Sequence, residues 1–252
     1  MSLSDSTKRF SNRVSNYVKY RPHYPFEIID FLKNETGLDK SSIIADIGSG
    51  TGISSEMFLE NGNTVYAVEP NFEMRSAAEK IMKDFGGFIS IEGTAENTSL
   101  GSQSVDLIIA GQAFHWFDIE KCRPEFKRIL KNNGYAVLMW NDKTESDDFM
   151  KGYFNLIKKY GTDYEKINHA NVDDTVIGKF FSPSEFKKKF FKHSHNLDYK
   201  GLEGRLLSSS YIPLEGESYN EMINELKEMF DKYSIKGEIA MQYETVIYFG
   251  KM

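Results

Sequence analysis

Several things are scarce in this chain, and each scarcity excludes something. It holds a single cysteine, Cys122, in 252 residues. One thiol rules out an intramolecular disulfide framework and any multi-cysteine metal site, and it fits a reducing compartment such as the cytoplasm. Long apolar runs are missing too. Stretches such as Ile43 to Ile47 and Tyr135 to Trp140 are far too short for a membrane-spanning helix, which needs about 20 apolar residues. Residues 1–20 are polar and mixed in charge, which is the pattern of neither a signal peptide nor a transit peptide. Positive charge is also short: 31 Lys and Arg against 37 Asp and Glu leave a net charge of −6. That balance lacks the basic footprint of a nucleic-acid binder. The local exception, Lys187 to Lys192, reads as a solvated helix end leading into a strand.

What is present is ample material for a core. Apolar residues make up 40% of the chain, with 19 Phe and 14 Tyr, well outside the range of disordered chains. Short apolar runs alternate with segments of helical period, the signature of a parallel sheet covered by helices. Strands are expected at Ser42 to Ile47, Val65 to Val68, Phe88 to Ile91, Val105 to Ala110, Tyr135 to Trp140, Phe190 to Tyr199 and Thr245 to Phe249. Between them, a helix starts at Ile53 and stops at Asn61-Gly62, and another covers Phe72 to Phe85. A third carries Ile119, Cys122, Phe126, Ile129 and Leu130 on one stripe, with Pro124 in or near its first turn, and ends at Asn133-Gly134. Cys122 on that stripe reads as packing, not as a nucleophile. Phe149 to Tyr160 is helical, and Ser218 with Glu221 forms a capping box ahead of a helix lined by Met222, Leu226 and Phe230. At the front, Phe10, Val14 and Tyr17 share a helical face, and Arg21-Pro22 and Tyr24-Pro25 bend the chain before a second helix. No repeat, low-complexity tract or linker divides the sequence. It therefore reads as a single α/β domain over 1–252, with an N-terminal helical cover (about 5–35) and a lid-like insertion (about 142–182).

The motif with chemical content is Asp46-Ile47-Gly48-Ser49-Gly50-Thr51-Gly52, directly after the first strand and directly before a helix. Glycines there let the backbone turn sharply and approach a ligand closely. A glycine trio alone also suits a dinucleotide. Here, however, the spacing is Gly-x-Gly-x-Gly, and Asp46 stands two places before the first glycine. A carboxylate at that point repels phosphate but suits an ammonium or a sulfonium, directly or through water. Glu69 ends the second strand, where its two oxygens can accept both hydroxyls of a ribose, a feature shared with NAD sites that does not separate the two readings. Gly93 to Asn97 follows the third strand and offers polar groups for a heterocycle edge, or is merely a polar loop.

With these segments in order, the chain resembles the class I S-adenosylmethionine-dependent methyltransferases of the small-molecule type, including the trans-aconitate and ubiquinone-biosynthesis-like enzymes. The residues that carry the likeness are Tyr20 to Pro25, Asp46 to Gly52, Val68-Glu69-Pro70, Gly93 to Glu96, Gln112 to Phe117 and Phe126 to Leu130. The resemblance implies a doubly wound, Rossmann-like, mostly parallel seven-stranded sheet with the last strand antiparallel. It places Asp46, Gly48, Ser49, Gly50 and Gly52 around the methionine part of S-adenosylmethionine, and Glu69 with Pro70 at the ribose. Thr94, Ala95 and Glu96 would lie near adenine, Gln112 and His115 would face the methyl group or the substrate, and Tyr17, Tyr20, Arg21 and Trp116 would cover the site.

The chemistry then follows from the donor, because a sulfonium is already an activated electrophile. Alignment and exclusion of water do most of the work, and positioning can supply on the order of 7 to 11 kcal/mol. A general base is needed only if the acceptor must lose a proton, and His115 is the candidate. A histidine packed beside Trp116 is the plainer reading. His193 and His195 share a face of a strand without carboxylate or cysteine neighbours, so no metal is expected there. The sequence lacks the Asn/Asp-Pro-Pro-aromatic segment used on nucleic-acid amines and has Gly111 to Phe114 instead. The expected partner is thus a small molecule, with neither nucleic acid nor membrane. Arg21 and Arg205 fit either a carboxylate substrate or surface ion pairs. Two other classes remain open: a non-catalytic protein that binds S-adenosylmethionine or S-adenosylhomocysteine, and an NAD-linked oxidoreductase.

Overall fold

The computed structural model describes residues 14–162 and 173–252. Phe10, His169 and the middle of the 142–182 segment lie outside the described residues. In chain order the elements are α1 (Val14–Tyr20), α2 (Glu27–Thr36), β1 (Ile43–Ile47), α3 (Ile53–Glu60), β2 (Thr64–Val68), α4 (Phe72–Ile81) and β3 (Phe88–Ile91). They continue with β4 (Val105–Gly111), α5 (Ile119–Ile129), β5 (Leu130–Lys143), α6 (Asp148–Tyr160), α7 (Asp174–Phe181), β6 (Phe186–Leu197), α8 (Tyr199–Leu207), α9 (Glu217–Tyr233) and β7 (Ile239–Lys251). The seven strands form one sheet in the order β3-β2-β1-β4-β5-β7-β6. β7 runs antiparallel to both of its neighbours, while the pairings among β1 to β5 are parallel.

The sheet is buried on both faces, which explains why its central strands are almost continuously apolar. Ala45, Ile47, Ile108, Ala110, Ala136, Leu138 and Trp140 face one layer, completed by Cys122, Phe126 and Ile129 of α5 and Phe180 and Phe181 of α7. The alternate residues Ile44, Leu107, Ile109, Val137 and Met139 face the other, closed by Ile28, Ile29 and Leu32 of α2 and by Met57 and Phe58 of α3. This period of two sets the register of the whole sheet. A third apolar cluster joins α6, α8 and α9 to the start of β7. Of the expected lid, Phe149, Met150, Tyr153, Leu156, Ile157 and Tyr160 belong to this cluster, and among the described residues of 142–182 none lines the cavity described below.

Side-chain caps start several helices. Asn71 accepts from the Met74 amide, Asp147 from Met150, Asp173 from Thr175 and Val176, and Asp198 from Gly201, each satisfying a donor with no partner inside its helix. Several expected boundaries are displaced. The capping box at Ser218 and Glu221 does not form, because α9 begins two residues earlier and its N-cap is Gly216 without a side-chain bond. α4 stops at Ile81, and Phe85 belongs to a following turn. α5 stops at Ile129, not at Asn133-Gly134, because Leu130 already pairs with Val105. The register shift between Val105 and Leu107 accommodates the extra residues before Tyr135, and Asn133 there is left-handed. Pro124 falls in the second turn of α5. Lys187 to Lys192 is no helix end: it lies wholly within β6, which begins at Phe186 and stops before Tyr199. Cys122 is fully buried, and burial lifts its thiol to about 12, as packing requires. No helix among the described residues is long and apolar enough to cross a membrane.

Candidate active site

The carboxyl ends of β1, β2, β3, β4 and β5 open onto one cavity, where the strand order reverses between β1 and β4. Ligands of open parallel sheets bind at such a reversal. Gly48, Ser49, Gly50 and Thr51 line it after β1, Glu69, Pro70 and Asn71 after β2, and Thr94, Ala95 and Glu96 after β3. Gln112, Ala113, Trp116 and Phe117 line it after β4, and Asn141 at the end of β5. Tyr17, Arg21, Pro22 and Tyr24 reach it from the N-terminal segment, and Arg205 from α8.

The glycine loop is held by its own backbone. The Gly48 and Ser49 amides both donate to the Val68 carbonyl, and the Gly52 amide donates to Ser49. The Gly50 amide donates to Glu69 Oε2 at 2.9 Å, and Asn71 donates to Glu69 Oε1 at 2.8 Å. Gly48 has a φ of +68°, and a Cβ there would come within 2.7 Å of Ala113 Cβ. Only glycine takes that backbone at so close an approach without strain.

These bonds bear on what the loop can hold. A pyrophosphate cradle presents free backbone N–H groups, yet four of this loop's amides are already engaged inside the protein. The group at the mouth is the Glu69 carboxylate. Each of its oxygens accepts one amide and keeps a lone pair for a further donor. Burial raises the Glu69 pKa, partly offset by the two amides and by Arg75. A ribose diol fits such an acceptor; a phosphate does not.

Asp46 is completely buried and lies behind the cavity wall, not in it. Its Oδ2 accepts from the hydroxyls of Ser54 and Ser55, both at 2.7 Å, and Ser54 itself lines the cavity. Its Oδ1 is buried and has no hydrogen-bond partner among the described residues. Burial pushes this carboxyl up to about 6, against the two serines that favour the charge. Gly52 also sits behind the wall, against Met82.

Beyond β4 the chain turns through Gln112, whose left-handed φ of 56° costs about 1–2 kcal/mol in a residue with a side chain. Two bonds hold it, from its amide to Met139 and from Nε2 to the Asn141 carbonyl. A short 3-10 turn, Phe114–Trp116, follows, with Phe114 buried among Phe117, Trp140 and Phe180. Trp116 lines the cavity, but His115 does not; its ring packs against Trp116 at 4.8 Å. Tyr20 is also absent from the wall. Its ring lies on α8, where a Cβ at Gly204 would come within 2.1 Å of it, so it fastens the N-terminal cover to the body.

On β6, His193 stacks on Tyr243 and its Nε2 lies 3.1 Å from Thr245 Oγ1. Among the described residues, no group of three His, Cys, Asp or Glu could hold a metal. His23 pairs with Glu56 at 2.5 Å, away from the cavity. Arg205, offered from the sequence as a partner for a carboxylate substrate, does line the cavity, whereas Tyr24, Ser54, Met74, Phe117 and Asn141 were not read as cavity features in the sequence. Strand ends could have suggested Asn141; the others follow from packing between distant segments.

Comparison with known proteins agrees with this geometry. A family model described as a methyltransferase domain matches residues 45–138. An uncharacterized methyltransferase of Geobacillus sp. is 30% identical over 170 residues, covering 63% of this chain and 76% of that one. A methyltransferase-like protein of Schizosaccharomyces pombe is 26% identical over 96% of this chain and 94% of its own length. Against a Mycobacterium bovis methyltransferase, identity is 31%, and the chain spans only 63% of that relative's length. Among solved structures, a protein of Anabaena variabilis provisionally described as a methyltransferase of an antibiotic biosynthesis pathway superposes with a TM-score of 0.66 at 24% identity, over 91% of this chain and 98% of that one. Haemonchus contortus phosphoethanolamine N-methyltransferase 2, solved with S-adenosylhomocysteine, gives 0.54 at 15% identity, over 99% of this chain and 59% of that one. At those identities the structures speak to fold alone. Fold, family model and sequence relatives converge, and the chain belongs to the class I S-adenosylmethionine-dependent methyltransferase family and is a methyltransferase.

Proposed function

We propose that this enzyme transfers a methyl group from S-adenosylmethionine directly to a small-molecule acceptor held in the same cavity. The observation that carries the reading is the inward-bonded glycine loop capped by Glu69, a cradle with acceptors for a ribose in which the amides of Gly48, Ser49, Gly50 and Gly52 are already engaged. When bound, S-adenosylmethionine supplies an electrophilic methyl on a sulfonium, so the protein need build no covalent intermediate.

The residues divide the work by position. Glu69 would accept the ribose hydroxyls, with Pro70 shaping the wall beside it. Thr94, Ala95 and Glu96 would border adenine. One Glu96 oxygen is occupied by the Asp118 amide at 2.9 Å, which fixes that side chain. Gly48, Ser49 and Gly50 would lie along the methionine portion. Asp46 sets the charge under the loop and orients Ser54, so its influence on a cationic ligand is electrostatic and indirect. Gln112, Trp116, Tyr17 and Arg21 would surround the acceptor and exclude water. His115, packed behind Trp116, is poorly placed to take a proton from an acceptor in the cavity.

The test is turnover. Purified protein is incubated with S-adenosylmethionine and a library of small metabolites, and S-adenosylhomocysteine is quantified. The reading expects acceptor-dependent product from at least one small molecule and none from oligonucleotides or proteins. Methylation of nucleic acid or protein alone would contradict it.

A further inference from the structure

The wall of the cavity farthest along the sheet from Glu69 contains two arginines and no acid to meet them. Arg205, on α8, is 3% exposed, and Arg21 follows α1; both line the cavity. The alternative of surface ion pairs fails, since among the described residues neither makes a salt bridge. They are tied to each other through one residue instead. Arg21 Nε donates to Ser208 Oγ at 3.1 Å and its Nη2 to the Ser208 carbonyl at 3.2 Å. Arg205 Nη1 lies 3.4 Å from the hydroxyls of Ser208 and Ser209, and its Nε donates to the Tyr243 hydroxyl at 3.0 Å. All these partners are neutral. Arg21 Nη1 and Arg205 Nη2 have no hydrogen bond to any described residue.

Holding two guanidiniums side by side away from water is unfavourable unless an anion joins them. Nearby groups report the positive field. Burial, with Arg205 and Arg21, brings Lys143 down to about 8. Burial alone would push the Tyr211 phenol up, but Lys143, a Ser209 hydrogen bond, Arg205 and Arg21 bring it down to about 8.

We propose that Arg21 and Arg205 anchor a carboxylate of the methyl acceptor, and that the acceptor is therefore a small organic acid. This rests on the methyl-transfer reading above and names its substrate class. Two uncommitted terminal nitrogens, one from each guanidinium, match the two oxygens of a carboxylate. A phosphomonoester could meet the same donors, but Arg205 lies in the last turn of α8. The partial negative charge at that helix end opposes a dianion more than a monoanion. The aromatic neighbours Tyr17, Tyr24 and Trp116 leave an apolar body to fill the space between the anchor and the methyl donor.

The test titrates the protein, saturated with S-adenosylhomocysteine, with benzoate and hexanoate, with their neutral amides benzamide and hexanamide, and with phenyl phosphate. At least one acid should bind tenfold or more tightly than its amide. Arg21→Met and Arg205→Met should each erase most of that preference, while S-adenosylhomocysteine affinity stays within about twofold. The inference is overturned if neither acid exceeds its amide, or if both variants keep the preference. It is also overturned if phenyl phosphate binds tenfold more tightly than either acid. Should a variant misfold, the acid-to-amide ratio of the wild type decides. If S-adenosylhomocysteine itself fails to bind the wild type, the donor assignment falls, and the same ratio is read on the protein alone.

Discussion

The wall at the ends of β1, β2, β3 and β4 is built from short contiguous segments, whereas the wall at α1, β5 and α8 is assembled from residues far apart in the chain. On the first side, Gly48 to Thr51 and Glu69 to Asn71 follow their strands directly, and Thr94 to Glu96 begins three residues after β3 ends. Their geometry is fixed by bonds between neighbouring strand ends, such as Gly50 to Glu69. On the second side, Arg21 and Arg205 meet because α1 and α8 pack together, and Asn141 joins them through Nδ2, which lies 3.5 Å and 3.4 Å from the Pro22 and His23 carbonyls. A donor common to many enzymes can be met by a local motif, and an acceptor particular to one enzyme by tertiary placement.

Changes on the two sides should therefore separate. The largest effect is expected at Gly48→Val. Its left-handed backbone and the 2.7 Å approach to Ala113 together should cost about 3 kcal/mol of stability. Binding of S-adenosylhomocysteine should become undetectable by calorimetry. Retained binding with an unchanged urea midpoint would show that the loop tolerates a side chain.

Asp46→Asn should bring out a conflict between stability and function. A folded pKa of about 6 against 3.8 means that the folded state holds its proton more tightly than the unfolded one. The wild type should then lose stability as pH rises from about 4 to about 6, by roughly 3 kcal/mol at most. The variant should lack that slope and have the higher urea midpoint at pH 7.5. It should also bind S-adenosylmethionine more weakly there, because wild-type affinity should rise through about pH 6 as the carboxyl ionises. Parallel pH profiles of wild type and variant would remove Asp46 from the account.

Glu69→Gln leaves one of the two backbone amides facing an amide N–H. It should weaken S-adenosylhomocysteine about tenfold, from loss of a charge-assisted hydrogen bond, without altering any preference for acids over amides. A change confined to that preference would merge the two walls. The smallest effect is expected at His115→Ala, since that ring lies outside the cavity wall. kcat should fall by less than about threefold and the pH–rate profile keep its shape; loss of a limb of that profile in the variant would restore His115 as the base.

The contrast between the walls also accounts for what could be read in the sequence. The seven strands and the Gly48 to Gly52 loop were legible because buried parallel strands are continuously apolar and their ends carry the turns. The ends of α5 and β6 were misread where pairing across the sheet overrode local signals: Leu130 pairs with Val105, and the Lys187 to Lys192 run lies on an edge strand. Asp46 looked like a contact residue because its carboxylate is two places from the loop, yet it bonds Ser54 and Ser55 from behind. The left-handed Gln112 and the shared Ser208 carry no local signature, because each depends on partners from other elements.

Calorimetric titration of the wild-type protein with S-adenosylhomocysteine, S-adenosylmethionine and NAD tests the central claim most directly. A glycine loop with the amides of Gly48, Ser49, Gly50 and Gly52 turned inward beneath Glu69 predicts saturable binding of both adenosyl compounds and none of NAD. Tight binding of NAD, with neither adenosyl compound bound, would contradict it.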